Sequence, residues 1–306
     1  MNGVLIIDKP AGLTSHDVVN RVRRILGQRS IGHLGTLDPM ATGVLPLVTG
    51  SFTRLAQFYV ASEKTYEGVI CFGFSTDTYD AEGEPTSESK SVNLSREELE
   101  IHAPKFRGVI EQIPPPFSAK KINGVPAYKL ARKHKEVVLK PVQVEIKEFE
   151  ILTVEADHAS FRARVASGTY MRSVAHDLGQ LLGCGAHLES LRRTSVAEFT
   201  LADAHTLEAI AEAKNNQRPK VPATLDELFV HPRQLLPQLP SVTADEQNAA
   251  RIRAGRPVNL PELSRARQVK VFAGQRELIA VATRVAGTLF HAKLVLSVPE
   301  IPVRQV

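Results

Sequence analysis

The stretch IGHLGTLDPMATGVLP, residues 31–46, decides how this chain of 306 residues is interpreted. Its three glycines and two prolines impose an unusual backbone path that fits neither a periodic helix nor an alternating strand. Asp38 stands between Leu37 and Pro39, an apolar setting that suits a solvated surface loop poorly. Two interpretations remain open from this stretch alone: a carboxylate at the edge of a cleft, or a tight turn with a capping Asp.

Length and composition predict a large domain followed by a small one, over residues 1–230 and 238–306. Hydrophobic residues make up 43% of the chain, enough for a substantial core. Cys71 and Cys184 have no CxxC partner, which indicates buried thiols in a reducing cytoplasm and argues against a disulfide scaffold or a thiolate zinc site.

The sequence predicts no membrane partner. No apolar run approaches the ~20 residues of a membrane span. The apolar run near the start is four residues long and ends at Asp8, so a signal peptide is not expected.

Hydrophobic periodicity indicates a mixed α+β fold. We predict strands over residues 4–7, 65–74, 142–154 and 160–166, and helices over 15–26, 53–60, 95–103, 170–182 and 206–214. Residues 75–90 are polar and predict an exposed loop. A helix over 243–255 and short strands over 269–272, 278–283 and 289–296 predict a small β-rich module near the end.

Positive charge is concentrated in two places, although the net charge is only +5. Arg21, Arg23 and Arg24 lie on the first predicted helix. Within residues 118–140, Glu136 is the single acid among seven basic side chains, which are Lys120, Lys121, Lys129, Arg132, Lys133, Lys135 and Lys140. Aromatic and imidazole rings stand among or beside these cations, at Phe117, Tyr128 and His134. This mixture favours an RNA ligand over a plain solvated basic face.

Further motifs follow one another along residues 3–200. They are GVLIIDKPAGLTS (3–15), the stretch around Asp38, KTYEG (64–68), PPFSAKK (115–121) with Tyr128, Ala131 and Arg132, SGTYMR (167–172), AHDLG (175–179) and LRRT (191–194). In these residues and in this order, the chain resembles the TruB family of bacterial tRNA pseudouridine synthases.

The resemblance implies a fold and an activity. The fold is the pseudouridine synthase fold, with a central, mostly antiparallel sheet flanked by helices, a thumb-like RNA-binding insert over about 118–140, and a small C-terminal PUA-like RNA-binding domain. The activity is isomerisation of the uridine at position 55 in the T-loop of tRNA, with the target base flipped out of its stack.

The resemblance also assigns roles to individual positions. Asp38 matches the catalytic aspartate, Arg172 the arginine that pairs with it, and Tyr66 the aromatic residue that stacks on the flipped uracil. The remaining matches are expected to bind substrate or to line and support the pocket, with His33 holding splayed nucleotides. They are His33, Lys9, Tyr170, Lys121, Leu191, Gly35 and Phe117. Leu34 and Phe117 stand where the family often has Thr and Tyr.

The chemistry of such a reaction agrees with these residue types. Breaking a C–N glycosidic bond and making a C–C bond within one nucleotide needs one carboxylate and neither a metal nor a cofactor. Asp38 could attack the ribose C1′ or the uracil ring, or remove a ribose proton to give a glycal. The expected partner is the T-arm stem-loop of tRNA, bound by a cytoplasmic monomer without an obligatory protein partner.

Two other functions remain open: an RNA chaperone that remodels the tRNA elbow, alone or beside catalysis, and a synthase of a guide-RNA particle. His176-Asp177 resembles a catalytic dyad, but no Ser or Cys nucleophile motif accompanies it, so we interpret it as helix packing. The oxygen-rich residues 76–80 lack EF-hand spacing and are interpreted as a loop rather than a calcium site.

Overall fold

Two β-sheets organise the chain. The computed structural model describes residues 1–118, 120–122, 124–131, 139–215, 224–262 and 264–296. The strands of the larger sheet are β1 (Gly3–Lys9), β2 (Ile31–His33), β3 (Thr42–Thr49), β4 (Lys64–Phe72) and β5 (Gly108–Gln112), then, after the small hairpin β6 (Lys121–Ile122) and β7 (Val125–Pro126), β8 (Val142–Glu155), β9 (His158–Val165), β10 (Ala186–Val196) and β11 (Phe199–Thr200).

The larger sheet has the order β1-β3-β10-β4-β9-β8-β5, with β2 also paired to β3 and β11 to β10. Its pairings are antiparallel except that of β10 with β3, which is parallel at Arg192–Thr42 and Arg193–Gly43. The predicted mixed fold with a mostly antiparallel sheet is therefore confirmed.

Helices pack against both sheets, the last of them against the smaller one. The α-helices are α1 (Ser15–Leu26), α2 (Ala56–Tyr59), α3 (Arg96–His102), α4 (Ala127–Ala131), α5 (Met171–Leu181), α6 (Leu207–Asn215) and α7 (Glu246–Arg253). Short 3-10 helices cover Gly50–Leu55, Ala103–Phe106, Leu201–Asp203, Leu225–Leu228 and Pro232–Gln234. The predicted helix over 53–60 is thus a 3-10 turn followed by one short α-helix.

Residues 4–7 of strand β1 are all apolar because both faces of the strand are buried there. Leu5 and Ile7 join the core beneath the helices, whereas Val4 and Ile6 point into a second core on the opposite face. A strand covered on both sides reads as a continuous hydrophobic run rather than an alternating one. The uninterrupted apolar run at residues 4–7 is therefore typical of a strand with two buried faces.

Helix α1 forms where its end signals predict. Thr14 and Asp17 make a reciprocal capping box at its start, and Gly27 ends it in the left-handed conformation, with φ 65°. Val18 and Val22 lie on its buried stripe, and the helix packs against α6. The helix thereby fixes Ser15 directly beneath the loop that carries Asp38.

The motif over 31–46 is less irregular than its sequence suggests. Its two ends are strands β2 and β3, and the residues between them, 34–41, form the loop that carries Asp38. Pro46 lies inside β3, between the segment that pairs with β10 and the segment that pairs with β2. Pro46 therefore interrupts neither of these two ladders, which is how a strand tolerates proline.

The polar segment over 75–90 does not lie fully exposed, contrary to expectation. Ser75, Thr76 and Asp80 are each less than 5% exposed. Asp80 bridges to Leu188, and the backbone of Ala81 donates to the Leu188 carbonyl at 3.0 Å. This part of the segment therefore packs against β10, and the side-chain oxygens of its three buried residues are shielded from solvent.

The smaller sheet is formed by residues after α6, and α7 lies between its first two strands in the chain. It contains β12 (Ser241–Ala244), β13 (Val258–Asn259), β14 (Gln268–Ala273), β15 (Glu277–Ala286) and β16 (Leu289–Val295), in the order β12-β14-β15-β16-β13. Its residues Phe272, Val281 and Leu294 share the second core with Val4 and Ile6. The C-terminal β-rich module is confirmed, while the exact division into domains 1–230 and 238–306 stays a prediction.

Part of the predicted insert over 118–140 lies outside the described residues, namely 119, 123 and 132–138. The described part carries the β6–β7 hairpin and α4. Across the described residues, none of the helices has both the length and the apolar character that crossing a bilayer needs.

Gly43 is predicted to be intolerant of a side chain. Its φ is +98°, and a Cβ there would lie 2.2 Å from the carbonyl oxygen of Arg193 at the parallel β3–β10 junction. We expect Gly43→Ala to lower the free energy of unfolding by about 3 kcal/mol or more, because strain and a backbone clash add. Urea unfolding measures this difference.

Gly183→Ala is the matched control, because Gly183 also has a positive φ, +69°, but open space around its Cβ position. It should cost about 1 kcal/mol. Equal losses in the two variants would contradict the close approach of β3 and β10.

Candidate active site

Two buried cations hold the Asp38 loop from either side. Before Asp38, the Arg193 guanidinium donates to the carbonyls of Gly35 at 3.0 Å and Thr36 at 3.2 Å, and its Nε donates to Val44 at 2.8 Å. Arg193 is fully buried. The loop carbonyls outside the β-ladder thus find charged donors, since buried backbone groups need partners.

Lys9 performs the same task after Asp38. It is fully buried, and its Nζ donates to the carbonyls of Ala41 at 2.7 Å, Pro10 at 2.9 Å and Pro39 at 3.1 Å. Lys9 therefore supports the loop from beneath rather than facing open space.

Ser15 fixes the middle of the loop. Its Oγ accepts from the Leu37 backbone N–H at 2.8 Å and lies 3.2 Å from the Leu37 carbonyl. The residue next to Asp38 is therefore anchored to the first turn of α1.

Arg172 is the centre of the candidate site. It is the second residue of α5, and its side chain is 5% exposed, whereas that of Asp38 is 34% exposed. Nε lies 2.9 Å from Oδ2 of Asp38, and Nη2 donates to Oδ1 at 3.0 Å. This two-point contact fixes the plane of the carboxylate and leaves it partly open to solvent. The predicted pairing of these two residues is present in the structure.

The same guanidinium holds three further acceptors from two other segments. Nη1 donates to the Thr78 carbonyl at 3.0 Å and lies 3.3 Å from Oδ2 of Asp80, and Nη2 donates to the Phe117 carbonyl at 3.1 Å. Asp80 is itself fixed at Oδ1 by the Thr78 hydroxyl at 2.6 Å and the Glu82 backbone N–H at 3.1 Å. Arg172 therefore ties the Asp38 loop to residues 78–82 and to residue 117.

Sequence reasoning missed Asp80 and Arg193. Asp80 lies in a stretch whose polarity predicts exposure, so nothing in its composition distinguishes a buried acid from a solvated one. Arg193 belongs to the LRRT motif, and the available signal was a charged residue two positions after the apolar Leu191, on the same face of a strand. A charged residue within a buried strand usually has a specific partner.

A cleft of about 350 Å³ opens beside Asp38. Tyr66 of β4, Tyr170 at the start of α5 and Leu191 of β10 line it together with Asp38 and Arg172. Tyr66 is 7% exposed and so presents a fixed aromatic surface. Burial raises the pKa of Tyr170, which keeps its phenol neutral. An aromatic-walled cleft with one carboxylate is suited to a flat ring.

Lys64 also lines this cleft and was not predicted to do so. Its Nζ donates to the Ser62 carbonyl at 2.9 Å. Burial, with a contribution from the nearby Arg193 charge, lowers the pKa of Lys64 to about 8. The cleft wall thus carries an amine that titrates near neutral pH.

A wider groove of about 700 Å³ meets the cleft at Asp38 and Arg172. Phe117 lines this groove, and His33 lines both cavities. Burial and the Arg193 charge lower the pKa of His33, which favours a neutral ring. Asp38 therefore stands at the junction of a narrow cavity and an open one.

The predicted site residues are not all in these cavities. Gly35 lines the cleft with φ +130° and supplies the carbonyl that binds Arg193. Lys9 lies beneath the loop. Lys121 is exposed on the β6–β7 hairpin. Leu34, where the family often has Thr, lines the cleft and packs into the second core.

His176 and Asp177 do not form a dyad directed at the cleft. The His176 ring stacks on Tyr79, with centroids 3.8 Å apart and planes 11° apart, which agrees with the predicted packing role. Burial raises the pKa of Asp177 to about 6. The ionised form of Asp177 is therefore costly in the folded chain at neutral pH.

Asp177→Asn should stabilise the protein at pH 8. The pKa of Asp177 is 3.8 in the unfolded chain and about 6 in the folded chain, so the folded state binds more protons between these two pH values. The free energy of unfolding therefore falls as the pH rises from about 4 to about 6, and the loss remains at higher pH. Removing the charge should add about 1–2 kcal/mol at pH 8, allowing for solvent screening, and almost nothing at pH 4. Urea unfolding at both pH values, with the exposed Asp226→Asn as control, measures it; a gain independent of pH would contradict this origin.

Comparisons with known proteins agree with this architecture. The family model "TruB family pseudouridylate synthase (N terminal domain)" matches residues 23–171, and "tRNA pseudouridylate synthase B C-terminal domain" matches residues 172–233. The tRNA pseudouridine synthase B of Solibacter usitatus (strain Ellin6076) is 50% identical over 301 residues, covering 97% of this chain and all of that protein. That of Azoarcus sp. (strain BH72) is 38% identical over 295 residues, covering 96% and 95%.

Solved structures share the fold at lower identity. A Cbf5-Nop10-Gar1 complex contains a chain that superimposes with a TM-score of 0.71 at 24% identity, over 97% of this chain and 85% of that one. An H/ACA RNP bound to a substrate RNA containing 2'-deoxyuridine gives 0.70 at 23% identity, over 96% and 85%. The two family models match residues 23–233, and the curated relatives are 50% and 38% identical over nearly the whole chain. The chain therefore belongs to the TruB family of pseudouridylate synthases.

Proposed function

We propose that this chain converts the uridine at position 55 in the T-loop of tRNA to pseudouridine. One observation carries the proposal: Asp38 is held by the two-point contact with buried Arg172 at the mouth of an aromatic-lined cleft. Family membership supports tRNA pseudouridine synthesis, and the curated relatives are named for that activity. The assignment of the target to position 55 in the T-loop rests on the sequence resemblance.

The cleft is suited to one flipped base. Its volume of about 350 Å³ lies at the lower end of ligand pockets, and Tyr66 offers an aromatic surface on which a uracil ring can stack. Extruding a base costs a few kcal/mol, and stacking inside the pocket offsets part of that cost. The target nucleotide would enter through the open groove.

In the proposed reaction, the bond from C1′ to N1 of the uracil breaks and a bond from C1′ to C5 forms. The C5 proton is lost, and N1 gains a proton. Asp38 acts as nucleophile at C1′ or the ring, or as the base that gives a glycal. Arg172 holds the carboxylate plane throughout, because its other three acceptors keep it in place.

RNA contacts outside the cleft are proposed for three regions. Lys120, Lys121 and Lys129 are exposed in the described part of the insert and would meet backbone phosphates. Phe117 and His33 would contact the splayed loop nucleotides in the groove. The C-terminal sheet would act as the PUA-like RNA-binding module.

We further propose that the enzyme works as a cytoplasmic monomer on a lone T-arm stem-loop, without a guide RNA, cofactor or partner protein. Binding and opening the T-arm would also give it chaperone activity. These proposals rest on the family resemblance and on the basic insert, which suits direct capture of a stem-loop.

Asp38→Asn should abolish isomerisation and leave RNA affinity within several-fold of wild type. The substitution removes the reacting carboxylate but few of the phosphate contacts that dominate binding. The measurement is chemical mapping of pseudouridine in a T-arm stem-loop and in full-length tRNA, together with equilibrium binding.

Asp226→Asn is the matched control, because Asp226 is an exposed acid outside both cavities. It should retain full activity. Turnover by Asp38→Asn would overturn the catalytic assignment. Modification of the stem-loop that requires added guide RNA or proteins would overturn the stand-alone proposal, and modification at another uridine would overturn position 55.

A further inference from the structure

Soft and hard metal ligands meet at the end of the larger sheet opposite the cleft mouth. Cys71 of β4, His158 at the start of β9 and Asp157 in the preceding turn bring one ligand atom each within 4.8 Å of one another. Cys71 lies five residues along β4 from Tyr66, which corresponds to roughly 17 Å at about 3.4 Å per residue. This cluster is therefore separate from the candidate active site.

The backbone fixes the cluster. Cys71 and His158 are directly paired residues of antiparallel strands β4 and β9, so their side chains project from the same face of the sheet. The Asp157 carbonyl accepts from the Phe72 backbone N–H at 2.8 Å, which holds the turn over the end of β4. The ligands thus come from a preformed platform rather than from a mobile loop.

A further carboxylate approaches His158 from β10. Oε1 of Glu189 lies 3.4 Å from Nε2 of His158, and Oδ1 of Asp157 lies 2.7 Å from Nδ1. Asp157 belongs to the group whose ligand atoms lie within 4.8 Å of one another, and Glu189 does not. Glu189 therefore matches a carboxylate that orients a metal-bound imidazole through the other ring nitrogen.

The local charges favour a cation. The carboxylates of Asp157 and Glu189 act on both Cys71 and His158. A divalent ion would neutralise part of this negative charge, and its binding would release the thiol proton.

We propose that Cys71, Asp157 and His158 form a binding site for Zn²⁺, with Glu189 orienting the imidazole. The ion would join β4 to β9 and to the β8–β9 turn and stabilise this end of the sheet. The sequence predicts no such site because its two cysteines lack CxxC spacing, and the ligands converge only through strand pairing. A thiolate and an imidazole together favour zinc over magnesium or calcium.

The test titrates Co²⁺, a spectroscopic substitute for Zn²⁺, into reduced, tag-free, full-length protein that has been treated with a chelator. We expect one equivalent to bind, with the absorption of a thiolate-to-cobalt charge transfer, and added Zn²⁺ to abolish that absorption. Zn²⁺ should also raise the melting temperature of the wild-type protein.

Variants identify the ligands. Cys71→Ser should lose the charge-transfer band and the zinc-dependent rise in melting temperature, while Cys184→Ser, which removes the other free buried thiol, keeps both. His158→Asn alters a half-buried side chain and Glu189→Gln an exposed one, and each should weaken binding at least tenfold with the fold retained. Absence of the band in the wild type, its survival in Cys71→Ser, its loss in Cys184→Ser, or unchanged affinity in both polar variants would overturn the proposal.

Discussion

The Arg172 guanidinium is the interaction on which the site depends. It is almost fully buried and satisfies five acceptor atoms, two of them on Asp38. A buried cation is costly unless it is paired and hydrogen-bonded, and here two carboxylates and two carbonyls provide the partners. Removing one partner of a buried pair such as Arg172 and Asp80 typically costs about 3–5 kcal/mol. The segments that meet at Arg172 are therefore held in one arrangement.

The backbone of the Asp38 loop is also held by buried cations. A loop rich in Gly and Pro leaves carbonyls without ladder partners, and here Arg193 and Lys9 bind them from within the core. Gly43 permits the close approach of β3 to β10 that delivers Arg193 to the loop. Asp38 is thus placed by residues distant in sequence, and this placement precedes any contact with substrate.

Sequence patterns predicted much of this arrangement, and the exceptions have physical reasons. Strand β1 and helix α1 follow from periodicity and capping, and the pairing of Asp38 with Arg172 follows from the family resemblance. Asp80 was not predicted because composition does not distinguish a buried polar segment from an exposed one. Lys9 was expected to line or support the pocket, and the structure places it beneath the loop; the motif match left this choice open because it assigns a position without giving a side-chain direction. The Cys71 cluster arises from strand register, which local patterns do not specify.

The most direct test of this account is the single-turnover isomerisation rate of Arg172→Lys on a T-arm stem-loop. Lysine keeps the positive charge but cannot make the two-point contact with Asp38 or span the remaining acceptors. We expect the rate to fall on the order of 10²-fold or more, with RNA affinity nearly unchanged, whereas Arg162→Lys on the exposed face of β9 keeps the wild-type rate. A wild-type rate for Arg172→Lys would contradict the claim that the geometry of this guanidinium, rather than its charge alone, makes the site work.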